Sequence, residues 1–245
     1  LRRMLASFDL FAHARTTHRR LPFGFDTVRM GNRDVAVEEE VVTATPFGCA
    51  ALSALAAVRR VLPHLGAGSS IAVIGTGGLG SYAVHYASRL SPARVVAVDE
   101  RPSALDSALR AGADDAVVAG PAAMAAARAA TGGRGCDAVL DFVGSDDSLG
   151  LAAGLVARRG IVALLGLAGG VLPFGFETLA PEASLTTVVA GTLADLHEVV
   201  RLASVELLPV PQVVFPLEDV ERALDALRDG EIDGRAVLVP TTERA

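Results

Sequence analysis

Tryptophan is absent from the 245 residues, aromatic side chains make up only 4%, and cysteine occurs twice. Cys49 and Cys136, far apart in the chain, build neither a disulfide framework nor a C-x-x-C metal site, so a reducing, cytoplasmic setting is expected. An excess of positive charge is also missing. With a formal charge of −6 and no basic stripe interleaved with aromatics, nucleic acid is excluded as a partner and a small molecule is expected instead. Long apolar runs are lacking too: the uncharged stretch 160–176 carries five glycines and Pro173 and falls short of the roughly 18 to 20 apolar residues a membrane span needs. Arg2, Arg3, Arg15, Arg19 and Arg20 crowd the start against Asp9 alone, yet no apolar segment accompanies them, so no targeting peptide is expected.

What the chain has is aliphatic bulk and glycine: 51% hydrophobic residues and 25 glycines. Its apolar segments are continuous rather than alternating, the pattern of strands buried on both faces of a parallel sheet. Strands are predicted near 71–74, 94–98, 115–118, 138–143, 161–165 and 184–189, with helices near 79–90, 103–111, 122–130, 146–157 and 193–204. That alternation describes an α/β fold, a doubly wound parallel Rossmann sheet. Residues 1–48 show no clear periodicity. Beyond Pro209-Val210-Pro211, a strand near 213–215, a helix near 218–229 and a strand over 235–239 predict a small residual lobe. The expected division is 1–46, a Rossmann domain over 47–208, and a return segment 209–245.

The first of these strands runs directly into Gly75-Thr76-Gly77-Gly78-Leu79-Gly80, and the second ends on Asp99. Strand, G-x-G-x-x-G, helix and a distal acid together predict a dinucleotide site. Gly75 permits the tight turn, Gly77 lets backbone approach a pyrophosphate, Gly80 lets helix pack on strand, and the helix N-terminus faces the phosphates. Asp99 is expected to bind the adenosine ribose and to favour NAD over NADP, although Arg101, two residues on, pulls the other way.

Further motifs accompany the loop: Gly112-Ala113-Asp114, Asp141-Phe142-Val143-Gly144, Pro173-Phe174-Gly175-Phe176-Glu177, Phe215-Pro216-Leu217-Glu218-Asp219, and Gly234-Arg235-Ala236-Val237-Leu238-Val239-Pro240. From about residue 45 onward, the chain resembles bacterial zinc-type alcohol dehydrogenases of the medium-chain dehydrogenase/reductase family. The resemblance implies a Rossmann domain set between two pieces of a GroES-like catalytic domain, NAD as coenzyme, and a homodimer or higher homo-oligomer. Val143, Gly144, Leu165 and Gly166 join Gly78, Leu79 and the residues above as expected cofactor contacts.

Departures from the family pattern are large. Gly-His-Glu, Cys-His-x-Asp and the four-cysteine lobe are not found, so most of the N-terminal catalytic domain is missing, and only 25–40 answers to its last strands. Cys49 matches the third catalytic zinc ligand, but a catalytic zinc needs about three protein ligands, so zinc is not expected. His64, His85 and His197 are read as packed or solvated. His13 and His18 are unplaced, and Cys49 with one of them stays an open alternative. Where the family has an aromatic pair, the chain reads Val188-Val189-Ala190-Gly191-Thr192, and Leu55 replaces a tyrosine; both changes imply an altered substrate space.

Three functions fit. One is a zinc-free NAD(H)-dependent oxidoreductase acting on an alcohol or carbonyl, with Ser53, Thr192, Tyr82 or Tyr86 as hydroxyl candidates for the electrophile. The second is a non-redox lyase, cyclase or isomerase on the same scaffold. The third is a non-catalytic dinucleotide-binding protein.

Overall fold

In a computed structural model the described residues are 27–30, 33–36, 42–205 and 210–240, with side chains from residue 42 onward. His13 and His18 lie outside them. Thr27–Met30 (β1) and Arg33–Ala36 (β2) form an antiparallel pair. A 3₁₀ turn at Thr45–Gly48 then leads into helix α1, Ala50–Val61.

Six parallel strands follow: β3 (Ser70–Ile74), β4 (Arg94–Asp99), β5 (Asp115–Val118), β6 (Cys136–Asp141), β7 (Val156–Leu164) and β8 (Ser184–Thr187). They lie in the order β5-β4-β3-β6-β7-β8. The connecting helices are α2 (Gly80–Leu90), α3 (Pro102–Ala111), α4 (Ala123–Ala130), α5 (Asp146–Leu155) and, after β8, α6 (Leu193–Val205). β3 sits where the strand order reverses, so the crevice beyond the carboxyl ends of β3 and β6 is the switch point at which such sheets bind ligands.

Strand periodicity explains why both faces are covered. Ile71 and Val73 point into a core shared with α1, α2, α3 and α6, while Ala72 and Ile74 point into a second core under α4 and α5. Every residue of β3 is buried. Each large aliphatic buried in this way contributes roughly 1.5 to 3 kcal/mol.

Several elements differ from the sequence reading. Helix α1 was not foreseen: nine of its twelve residues are buried, so it lacks the polar stripe that marks an amphipathic helix. It belongs to a second uncharged run, 41–58. The helical segments Val42–Gly48 and Ala50–His64 meet at a 47° bend, and among the described residues no single helix is long and apolar enough to cross a membrane. Helix α5 ends at Leu155, not 157, because Val156 turns extended and β7 begins there, with a register irregularity between Cys136 and Ala138. Strand β8 stops at Thr187 rather than 189: Ala190 turns left-handed (φ 53°), and a side chain on Gly191 would run into Leu52 of α1.

The chain closes with β9 (Gln212–Pro216), α7 (Val220–Arg228) and β10 (Arg235–Val239). β9 and β10 pair in parallel, and Phe215, Ala223 and Ile232 form a small core of their own.

Candidate functional site

Gly75 leaves β3 with φ 80°, in the left-handed region that glycine adopts without strain. Its N–H donates to the Val98 carbonyl at 2.8 Å, which ties the loop to the neighbouring strand. Gly80 is needed for a different reason. A Cβ there would stand 1.9 Å from the Gly75 carbonyl oxygen, so only hydrogen lets α2 begin this close to the strand. Gly77 differs again: the nearest atom to a Cβ would be the Nη2 of Arg101 at 3.3 Å. Apart from the end of that side chain, no atom lies within 4 Å of where the Cβ would stand. No side chain caps α2 at Leu79, so its N-terminal dipole faces that space.

The acid at the end of β4 is built into the same loop. Asp99 Oδ2 accepts from the Thr76 N–H at 2.7 Å, and Oδ1 accepts from the Arg101 N–H at 3.0 Å. Loop and acid thus hold each other in register.

The opposite wall of the crevice is organised by Asp141, which is fully buried. Its Oδ1 accepts from the N–H groups of Val143 at 2.9 Å and Gly144 at 3.0 Å, and its Oδ2 from the Ser148 hydroxyl at 2.9 Å. Ser145 and Ser148 form a reciprocal capping box that starts α5. The Asp141 carbonyl accepts from Leu165 and Gly166 N–H at 2.8 and 3.0 Å. A Cβ on Gly166 would lie 2.0 Å from the Val143 backbone, and one on Gly75 would lie 2.7 Å from Val143 Cγ2. The structure therefore brings the expected residues of all four strand ends to one crevice.

Arg235, to which the sequence reading assigned no role, lies there as well. Its Cδ would be 2.6 Å from a Cβ on Gly78, as would the Gly234 carbonyl oxygen. The return segment thus packs directly on the glycine loop and brings a guanidinium to that turn. Because β10 reaches the loop only through tertiary folding, no local spacing signals it; the adjacent Gly234, at φ 92°, is the one local mark.

The hydroxyl candidates are each held in a different setting. Tyr82 and Tyr86, 1% exposed, stack in the core with ring centroids 6.4 Å apart. Burial pushes the Tyr82 phenol up to about 12, against the opposing influence of Arg235, and burial also raises that of Tyr86. Ser53 is buried on α1. Thr192 is exposed and caps α6: its hydroxyl donates to Asp195 Oδ2 at 2.7 Å and accepts from the Asp195 N–H at 3.2 Å. Asp195 is held in turn by Arg59 at 2.8 Å. Val188 and Val189 line an open groove of about 580 Å³ with Ala56, Arg59 and Pro63, and none of the crevice residues borders it.

Cys49 is exposed. Among the described residues no group of three or more His, Cys, Asp and Glu side chains stands close enough to share a metal ion.

A family model of zinc-binding dehydrogenases matches residues 78–204. The NAD-dependent alcohol dehydrogenases of Sulfolobus acidocaldarius and Sulfurisphaera tokodaii are 34% and 32% identical to this chain over 203 residues, which is 81% of this chain and 58% of each relative. Among solved structures, the alcohol dehydrogenase of Aeropyrum pernix aligns with a TM-score of 0.77 at 30% identity, over 85% of this chain and 64% of that one. The chain spans about 58% of the length of these curated relatives. The chain belongs to the zinc-binding dehydrogenase family, the zinc-type alcohol dehydrogenase branch of the medium-chain dehydrogenases/reductases.

Proposed function

We propose that this chain binds NAD(H) in the crevice beyond β3 and β6 and acts as an alcohol dehydrogenase-like oxidoreductase on an alcohol or carbonyl of a small molecule. The observation that carries this reading is the glycine loop. Its one glycine at which a Cβ would meet only the end of a side chain, Gly77, is the residue a pyrophosphate must approach, and Asp99 is locked beside it.

In this reading the α2 N-terminus and Arg235 balance the phosphate charge, and Asp99 accepts from the ribose hydroxyls. Asp141 acts at one remove: by fixing the N–H groups of Val143 and Gly144, it shapes the wall facing Gly75. Bound NAD supplies the hydride acceptor, and the protein's contribution is to orient it and to exclude water. Relatives that bear the name NAD-dependent alcohol dehydrogenase support both coenzyme and reaction class. The exposed Phe174 and Phe176, in the segment before edge strand β8, support a homo-oligomer.

The full chain incubated with NAD and a panel of primary and secondary alcohols, or NADH and the matching aldehydes and ketones, is expected to change absorbance at 340 nm. Coenzyme binding without any change at 340 nm across the panel would leave a dinucleotide-binding protein and remove the oxidoreductase reading.

A further inference from the structure

Arg101 stands between two carboxylates contributed from distant parts of the chain. Its Nε is 3.5 Å from Asp99 Oδ1, its Nη1 is 3.6 Å from Asp233 Oδ1, and the same Nη1 donates to the Ile232 carbonyl at 3.3 Å. Asp233 is itself held in place, accepting from the Ser103 hydroxyl at 3.1 Å. The trio carries a net charge of −1, and its guanidinium borders Gly77.

An arginine beside the ribose-binding acid is the feature that accommodates a 2′-phosphate, through a guanidinium free to offer its fork of donors. Here two nitrogens of that fork, Nε and Nη1, already face Asp99, Asp233 and the Ile232 carbonyl, and Nη2 lies beside Gly77. We propose that Asp233 is a specificity-determining residue for the coenzyme: by engaging Arg101 it withholds the guanidinium from a 2′-phosphate, so that Asp99 and Asp233 together reject NADP. The inference rests on the coenzyme reading above and deepens it. Specificity of this kind comes as much from the repulsive element against the wrong ligand as from contacts to the right one. Side chains of Arg101 and Asp233 are about one third exposed, so the pairing is partly screened and its effect is moderate.

The test is equilibrium titration of the full chain with NADH and with NADPH, in the unmodified protein, in Asp233→Asn, and in Asp233→Asn combined with Arg101→Gln. Asparagine keeps the volume of Asp233 and its hydrogen bond with Ser103 while removing the charge. The expected result is that D233N strengthens NADPH binding relative to NADH about tenfold, equivalent to about 1.4 kcal/mol, with NADH affinity essentially unchanged, and that adding R101Q cancels the gain. If the NADPH/NADH ratio stays constant in D233N, or both affinities fall together, Asp233 is only a tether for the return segment and the inference is overturned while the coenzyme reading stands. If the unmodified protein binds neither nucleotide, both fall.

Discussion

Glycines of one motif serve different ends, and substitution separates them. Gly80→Ala forces a methyl group to 1.9 Å from a backbone oxygen, with no flexible side chain to yield, and is expected to destabilise the fold by about 3 kcal/mol or more. Gly77→Ala meets only the end of Arg101, so urea denaturation is expected to show a change within about 0.5 kcal/mol, while NADH affinity falls at least tenfold. Equal loss of stability in both variants would mean that Gly77 is a packing residue rather than a binding one. These two roles are visible in sequence only as a spacing. That Gly80 faces backbone and Gly77 only the end of a side chain follows from where β3 and α2 meet. Asp141 shows the opposite limit: it appears in the sequence as one acid in an apolar strand, and its organising role emerges only when Val143, Gly144 and Ser148 turn back onto it.

At the level of elements, helix α2 carries a consequence of its own. Both tyrosines of the chain lie on it, buried, and the chain contains no lysine, so few other side chains titrate between pH 10 and 12. An unfolded tyrosine releases its proton near pH 10, whereas the folded Tyr82 holds it to about 12 and Tyr86 is raised as well, both chiefly through burial. The unfolded state therefore binds fewer protons in this window, and stability, fully present below pH 10, declines by about 1.4 kcal/mol per pH unit for each tyrosine. Buried Cys136, raised to about 11, adds to the decline from about pH 9. Urea unfolding at pH 8, 10 and 11 is expected to show this fall, and Tyr86→Phe to reduce it. Because the Tyr86 hydroxyl has no hydrogen-bond partner among the described residues, the phenylalanine variant is not expected to lose stability at neutral pH. A flat profile from pH 8 to 11 would contradict the buried placement of both rings. Elements such as β3, β4 and β6 were legible because strands covered on both faces are apolar throughout. Helix α1 is not, since burial nearly all round erases helical periodicity, and the end of α5 depends on the pairing of Val156 with Cys136 and that of β8 on the packing of Gly191 against Leu52.

On the scale of the whole molecule, the sheet and its glycine loop were readable along the chain, but the closing of the crevice was not. Arg235 reaches Gly78, and Asp233 reaches Arg101, across more than 130 positions. Such contacts follow from how β9 and β10 return to the body, which no local pattern encodes. The candidate electrophiles show the same limit: residue type alone marks Thr192 and Tyr82, and the fold uses one as a helix cap and buries the other in the core. All further steps, from coenzyme preference to redox chemistry, depend on the nucleotide resting on the glycine loop. Calorimetric titration of the full chain with NADH, run in parallel on Gly77→Val, tests this most directly. The account predicts saturable binding of one NADH per chain and its loss in a variant that still unfolds cooperatively; absence of heat in the unmodified protein, or equal binding by both, would contradict it.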